Sequence, residues 1–466
     1  MPIKMFDIQS NERDELGNQV LRFDLTALRS DPRLLDQLAG GLVVDHLTYR
    51  VSRNEHEKTG RIERSDPSFQ VVFERNVDPD GVWTVSVNAQ TSPERKPKEI
   101  WHQHVFIQKN LCRSSEQVHE LAQKYAPIFL FSGGERYFPV SLETLFHSPL
   151  IQNCTETIKL DTVQGKMEIP LAELGDFMRF NGHSEYLIDF NMFSMKNSIF
   201  AAMGGDPWAT TVYYSYLEDP QSDRFFITYH LIYAFDTKAG LARLTGIGPH
   251  VFDRESMVLV FEEEEPAALV ISGHMENQKI FFLNKLKIWT QGRIRVEFKD
   301  PHTVTLGNHP LIAVAEGSHA LYPTSGVYQL SLLKELAGFV DPRITGHQPS
   351  DSNQLRPEQV ALPPSMRSPT VPSYRLLSLG LDRLSSRIDP GATDYDGYNA
   401  YLAFSGFWVD VPGTQNARFP PFTRKMSEIE AWVDKAYQWQ WDDLPKNLGE
   451  NNQYILEFLQ ENIEDF

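Results

Sequence analysis

Cysteine is nearly absent from this 466-residue chain, which carries only Cys112 and Cys154. Two cysteines cannot build a disulfide framework. No apolar run approaches the roughly 18 residues that span a bilayer, and the stretch from Met1 to Glu15 is polar and charged where a secretory signal would be apolar. These absences set the expectation of a cytoplasmic protein with no transmembrane segment. Positive charge is also short, with 44 Lys and Arg against 62 Asp and Glu, a formal net charge of −18. Such an excess repels a phosphate backbone and argues against nucleic acid as a partner. The chain has no Gly-x-Ser-x-Gly elbow, no catalytic-cysteine signature, no phosphate-binding glycine loop and no internal repeat.

Aromatic residues, in contrast, are plentiful: 29 Phe, 17 Tyr and 8 Trp. That composition favours packed sheet over disorder, and the length exceeds what one hydrophobic core usually serves. The predicted fold is mainly β: an antiparallel β-sandwich core, a β-rich N-terminal domain and a few peripheral helices. Period-two runs at Leu42 to Val51, Phe69 to Arg75, Val82 to Asn88 and Trp101 to Gln108 assign a β-rich accessory domain to residues 1–112. A helix over Ser115 to Tyr125 opens the next unit and stops at Pro127. Short apolar runs from Thr211 to Ala315 then predict the sandwich core, over residues 113–340. Crowded prolines predict an irregular excursion over 341–373, and residues 374–466 read as a C-terminal extension completing the core, with helices near Glu428 to Trp439 and Asn452 to Ile463.

The chemistry concentrates in Gly248-Pro249-His250-Val251-Phe252-Asp253-Arg254-Glu255. One imidazole and two carboxylates within six residues suit Ca²⁺ or Mg²⁺, with Mn²⁺ as a variant, better than a closed zinc site. If a strand begins near Asp253, its period of two places Asp253 and Glu255 on one face, with His250 folding back from the loop. Asp236, His274 and His319 stand at the ends of other predicted strands, where a sandwich can gather them. His230, inside a strand, reads as a core histidine. Glu262 to Glu265 reads as a solvated hairpin turn.

Three ordered segments, Tyr233-Ala234-Phe235-Asp236, Gly246 to Glu255, and His309-Pro310 with Gly317-Ser318-His319-Ala320-Leu321, resemble motifs of the necrosis- and ethylene-inducing-like protein superfamily. Together with Tyr125-Ala126-Pro127 and Tyr137-Phe138-Pro139, they are more similar still to its vacuolar-protein-sorting-related relatives of fungi and plants. The resemblance implies a cation held by His250, Asp253 and Glu255, with Asp236 as a further ligand. The family's heptapeptide is altered here at Pro249, Phe252 and Arg254, and the polarity around any metal changes with it.

Two functions follow as expectations. The first is divalent-cation-dependent binding of a lipid or sugar headgroup. The second is a metal-dependent enzyme, of hydrolase, lyase or cyclase type, acting on an apolar small molecule or ester. It would use Glu255 with His274 or His319 as acid-base groups, and Phe129, Tyr213, Tyr229 or Phe404 could line its pocket. A scaffold whose polar cluster only ties loops together is the third reading. The sequence carries no expectation of oligomeric state.

Overall fold

Alternation of apolar and polar residues through the first hundred positions produces two small antiparallel sheets. In the computed structural model one joins Asp7–Arg13, Gln19–Asp24 and Ser68–Phe73. The other joins His56–Ile62, His46–Arg53, Gly81–Gln90 and Lys98–Ile107. In Ser68–Phe73 the residues Phe69, Val71 and Phe73 are buried while Gln70 and Val72 face outward. Phe23 stacks on Phe69 with ring centroids 4.7 Å apart, and Phe73 meets the fully buried Trp83 edge-on at 5.2 Å. These side chains form a cluster separate from the larger core that follows.

The structure describes residues between 7 and 418, apart from segments of one to five residues and the stretches 26–35, 175–186, 190–195, 238–249, 272–278, 330–349, 353–359, 365–370, 379–406 and 410–416; residues 419–466 are not described. The predicted C-terminal helices lie outside the described residues. No helix among them is long and apolar enough to cross a membrane.

The helix Ser115–Lys124 forms as predicted, with Glu116 in its first turn and Lys124 in its last, both favourable to the helix dipole. It buries Val118 and Ala122 and ends ahead of Pro127. Beyond it the core lies between two sheets. The first runs in the order Lys279–Phe282, Glu265–Ile271, His250–Glu262, Arg224–Asp236, Thr211–Glu218, Arg375–Ser378. The second runs Lys287–Gln291, Ile294–Asp300, Thr303–Leu306, His309–Val314, Ile128–Phe131, Val360–Leu362, with Leu321–Tyr322 paired to His309–Val314. Phe129 and Val314 of the second sheet share one buried cluster with Tyr229, Leu259 and Leu269 of the first. The protein is mainly β, with several antiparallel sheets and few helices.

Local periodicity fails where strands from distant parts of the chain meet. Thr211–Glu218 pairs in parallel with Arg375–Ser378, and His309–Val314 with Ile128–Phe131, although the pattern predicts antiparallel neighbours. The predicted excursion over 341–373 supplies a strand to the second sheet: Val360–Leu362 pairs with Ile128–Phe131, and Leu362 is fully buried. Its prolines bracket the Val-Ala-Leu run rather than interrupt it, so the ladder keeps its donors. Among the apolar runs of this region, Ile280 to Trp289 contributes to two strands, Lys279–Phe282 and Lys287–Gln291.

Buried tyrosines tie the sheets to the intervening loops. Tyr374 donates its hydroxyl hydrogen to the Pro127 carbonyl (2.6 Å), and Tyr229 donates to that of Ala122 (2.7 Å). Tyr374→Phe leaves a buried carbonyl unmet, so it is expected to lower stability by about 1–2 kcal/mol. The urea midpoint checks this, and an unchanged midpoint would show that the carbonyl finds another donor.

Candidate functional site

The longest hairpin of the first sheet carries the acidic residues. Its register sets Leu231 opposite Glu255, Tyr233 opposite Asp253 and Asp236 opposite His250. Alternation along the strand therefore puts Tyr233, Asp253 and Glu255 on one side of the pleat. The strand starts at His250 itself, not near Asp253 as the sequence suggested. His250 thus occupies a register position, opposite Asp236, rather than a loop, and Asp236 falls on the other side of the pleat from Tyr233. Of the expected ligands, Asp236 is thereby set apart from Asp253 and Glu255, because an odd residue separation crosses the sheet.

His319 reaches the hairpin from the second sheet. The turn after His309–Val314 is closed by two backbone bonds, from Ala315 N–H to the Ala320 carbonyl (2.9 Å) and from His319 N–H to the Ala315 carbonyl (3.0 Å). Gly317 adopts φ 73°, and His319 itself adopts φ 55°, a left-handed conformation uncommon for a residue with a side chain. That geometry turns the imidazole inward, where it is fully buried. Its Nδ1 lies 2.8 Å from Asp253 Oδ2, and its ring stacks on Tyr233 with centroids 3.8 Å apart and planes 4° from parallel. Thr237 N–H, just beyond Asp236, donates to the Gly317 carbonyl (3.0 Å), tying the hairpin end to the same turn.

Glu135 completes the cluster. One of its oxygens accepts the Arg136 and Tyr137 N–H groups (2.8 and 2.9 Å), and the other accepts that of Gly317 (2.8 Å). His319 Nε2 lies 3.7 Å from Glu135 Oε1, beyond hydrogen-bond reach but close enough for strong Coulomb attraction. Burial alone would lower the His319 pKa, but the hydrogen bond to Asp253 and the charges of Asp253 and Glu135 outweigh it, leaving the ring pushed up to about 10. Burial would raise Glu135, and the imidazolium with the backbone donors outweighs this and holds its carboxyl below the usual range. Tyr233 is held well above the ordinary phenol value by burial first, then by the charges of Glu135, Asp253 and Glu255.

This chemistry revises the roles expected of single residues. With its pKa pushed up to about 10, His319 has the place of a counter-ion between two carboxylates rather than that of the expected acid-base group. His274 lies outside the described residues, as does Phe404. Phe129, Tyr213 and Tyr229 are buried in the main core, so they pack the sandwich rather than line a pocket. His230 is buried within its strand, its Nε2 2.9 Å from Ser215 Oγ. Glu262 and Glu265 flank the expected hairpin turn, where Glu264 adopts φ 68°. Sequence reasoning missed Glu135 and Tyr233. For Glu135 there is a signal, a carboxylate just after Gly133-Gly134 between the aromatic-rich segments Ile128 to Phe131 and Tyr137 to Val140; a tyrosine in an aromatic-rich strand gives none.

Among the described residues no three His, Cys, Asp or Glu side chains are grouped to hold a metal ion. The donors that fit a hard cation are the two carboxylates Asp253 and Glu255, oxygen ligands of the kind Ca²⁺ and Mg²⁺ take, both less than a tenth exposed. No protein-family model matches this chain, and no curated protein matches it.

Proposed function

We propose that the chain is a binding protein that takes a divalent cation, Ca²⁺ or Mg²⁺, at Asp253 and Glu255 and through it an oxygen of a lipid or sugar headgroup. The observation that carries this reading is the density of buried carboxylates at one sheet end: Asp253 and Glu135 flank the His319 imidazole, and Glu255 acts with them on the Tyr233 ring stacked against it. Buried carboxylates persist when paired with cations or metals. When bound, the cation supplies a positive coordination position for the headgroup oxygen. His319 fixes the Asp253 carboxylate, and Glu135 fixes the turn that carries His319. Binding is favoured over the enzyme reading because His319, the imidazole described at this end of the sheet, is held between Asp253 and Glu135.

Titrating the purified, metal-stripped protein with Ca²⁺ and with Mg²⁺ is expected to raise the melting temperature by several degrees, and Glu255→Gln is expected to abolish the rise while keeping the fold. At a free cation concentration of about 100 Kd the stabilisation is about 2.7 kcal/mol. No bound cation by elemental analysis, together with no cation-dependent shift, would sink the proposal. Turnover of a small ester or phosphoester that Glu255→Gln removes would replace it with the enzyme reading.

A further inference from the structure

The hydroxyls of several buried tyrosines are met by side chains or backbone: Tyr214 lies 3.0 Å from His119 Nδ1, and Tyr216 accepts from Arg113 (3.1 Å). Tyr137, Tyr229 and Tyr374 donate to the carbonyls of Ala201, Ala122 and Pro127, and Tyr213 accepts from Leu142 N–H. Tyr233 is the departure. Its hydroxyl is buried and has no hydrogen-bond partner among the described residues, and the same holds for Nε2 of the His319 ring stacked on it. Buried polar atoms in folded proteins are nearly always hydrogen-bonded, and an orphan pair marks a place where a water or ligand atom belongs.

We propose that Tyr233 Oη and His319 Nε2 form an oxygen subsite of the Asp253–Glu255 site, and that the atom they take is a neutral hydroxyl of the ligand. The neighbouring charges decide the class. Glu135, Asp253 and Glu255 all act on Tyr233 and outnumber the single His319 imidazolium, so an anionic phosphate or carboxylate oxygen placed there meets net repulsion. A hydroxyl both donates and accepts, so it can meet the phenol and the ring nitrogen while offering its proton to a carboxylate. Tyr233 is then a specificity residue, selecting hydroxyl over phosphate within the headgroup. The inference deepens the binding reading above and rests on it.

The test compares wild-type protein with Tyr233→Phe, using myo-inositol as the neutral hydroxyl probe and inorganic phosphate as the anionic one, each with and without Ca²⁺. Calorimetry is expected to show wild-type protein binding myo-inositol in preference to phosphate, and Tyr233→Phe binding it about tenfold more weakly, the loss of one hydrogen bond. The ligand-free melting temperature of Tyr233→Phe should be unchanged or higher, because the substitution removes an unmet polar atom and keeps the stacked ring. A ligand-free melting temperature several degrees lower would show that the hydroxyl is a fold contact and overturn the subsite. So would equal affinity in the two proteins, no binding of myo-inositol, or preference for phosphate. Loss of the Ca²⁺ response alone, with the contrast between the two proteins intact, overturns the cation reading and leaves the subsite standing.

Discussion

His319→Asn is expected to destabilise the core by about 3–5 kcal/mol, the cost of removing one partner from a buried charge cluster. Asn tolerates the left-handed backbone at this position, so the loss reports on the imidazole rather than on a strained turn. Without the ring, Asp253 and Glu135 face each other as buried carboxylates with no imidazolium between them. Adding Glu135→Gln to His319→Asn should recover part of the loss, and that non-additivity is the signature of a shared cluster. Hydrogen exchange followed through urea unfolding measures it region by region. The N-terminal sheets, with their own cluster around Trp83, serve as an internal control whose protection should not move. A loss below about 1 kcal/mol would mean that the cluster is solvated and that its ion pairs carry little weight.

Raising the pH is expected to weaken the same core by a comparable amount. The His319 pKa is raised in the folded state, from 6.5 to about 10, so its contribution is fully present below 6.5 and is lost as pH climbs through about 10. At about 1.36 kcal/mol per pH unit this interval corresponds to roughly 5 kcal/mol. Glu135 has the opposite sense: its folded value is depressed, so its contribution is present above 4.5 and fades as pH falls through the folded value. His309, buried with its Nδ1 2.7 Å from the Ala126 carbonyl, is lowered below 6.5 by burial, and its contribution is lost under acid conditions. Core stability should therefore decline between pH 6.5 and 10, and His319→Asn should flatten that decline. A wild-type profile with no loss across this window would place the ring outside the ion cluster.

Much of the fold was legible in the chain because short-range patterns settle it. Thr211–Glu218 can be read from its run of β-branched and aromatic residues between a 3-10 turn and an Asp-Pro turn. The helix Ser115–Lys124 is legible from the spacing of Val118, Leu121 and Ala122 and from Pro127 beyond its end. Val360–Leu362 was hidden because three apolar residues among prolines carry no periodicity, and the strand exists only because Ile128–Phe131 offers it an edge.

At the site, the sequence by itself determined which groups were available: Asp253 and Glu255 two residues apart, and a Gly-Ser-His turn that could deliver an imidazole. Tertiary structure alone decided how they meet. It began the strand at His250 and set Asp236 opposite it, across the pleat from the two carboxylates. It also set His319 between Asp253 and Glu135, residues 66 and more than 180 positions away in the chain. Local spacing fixes which face a strand residue takes once the register is known. The charge state of a buried ring depends on which carboxylates the fold brings to it, and one sequence does not print those distances.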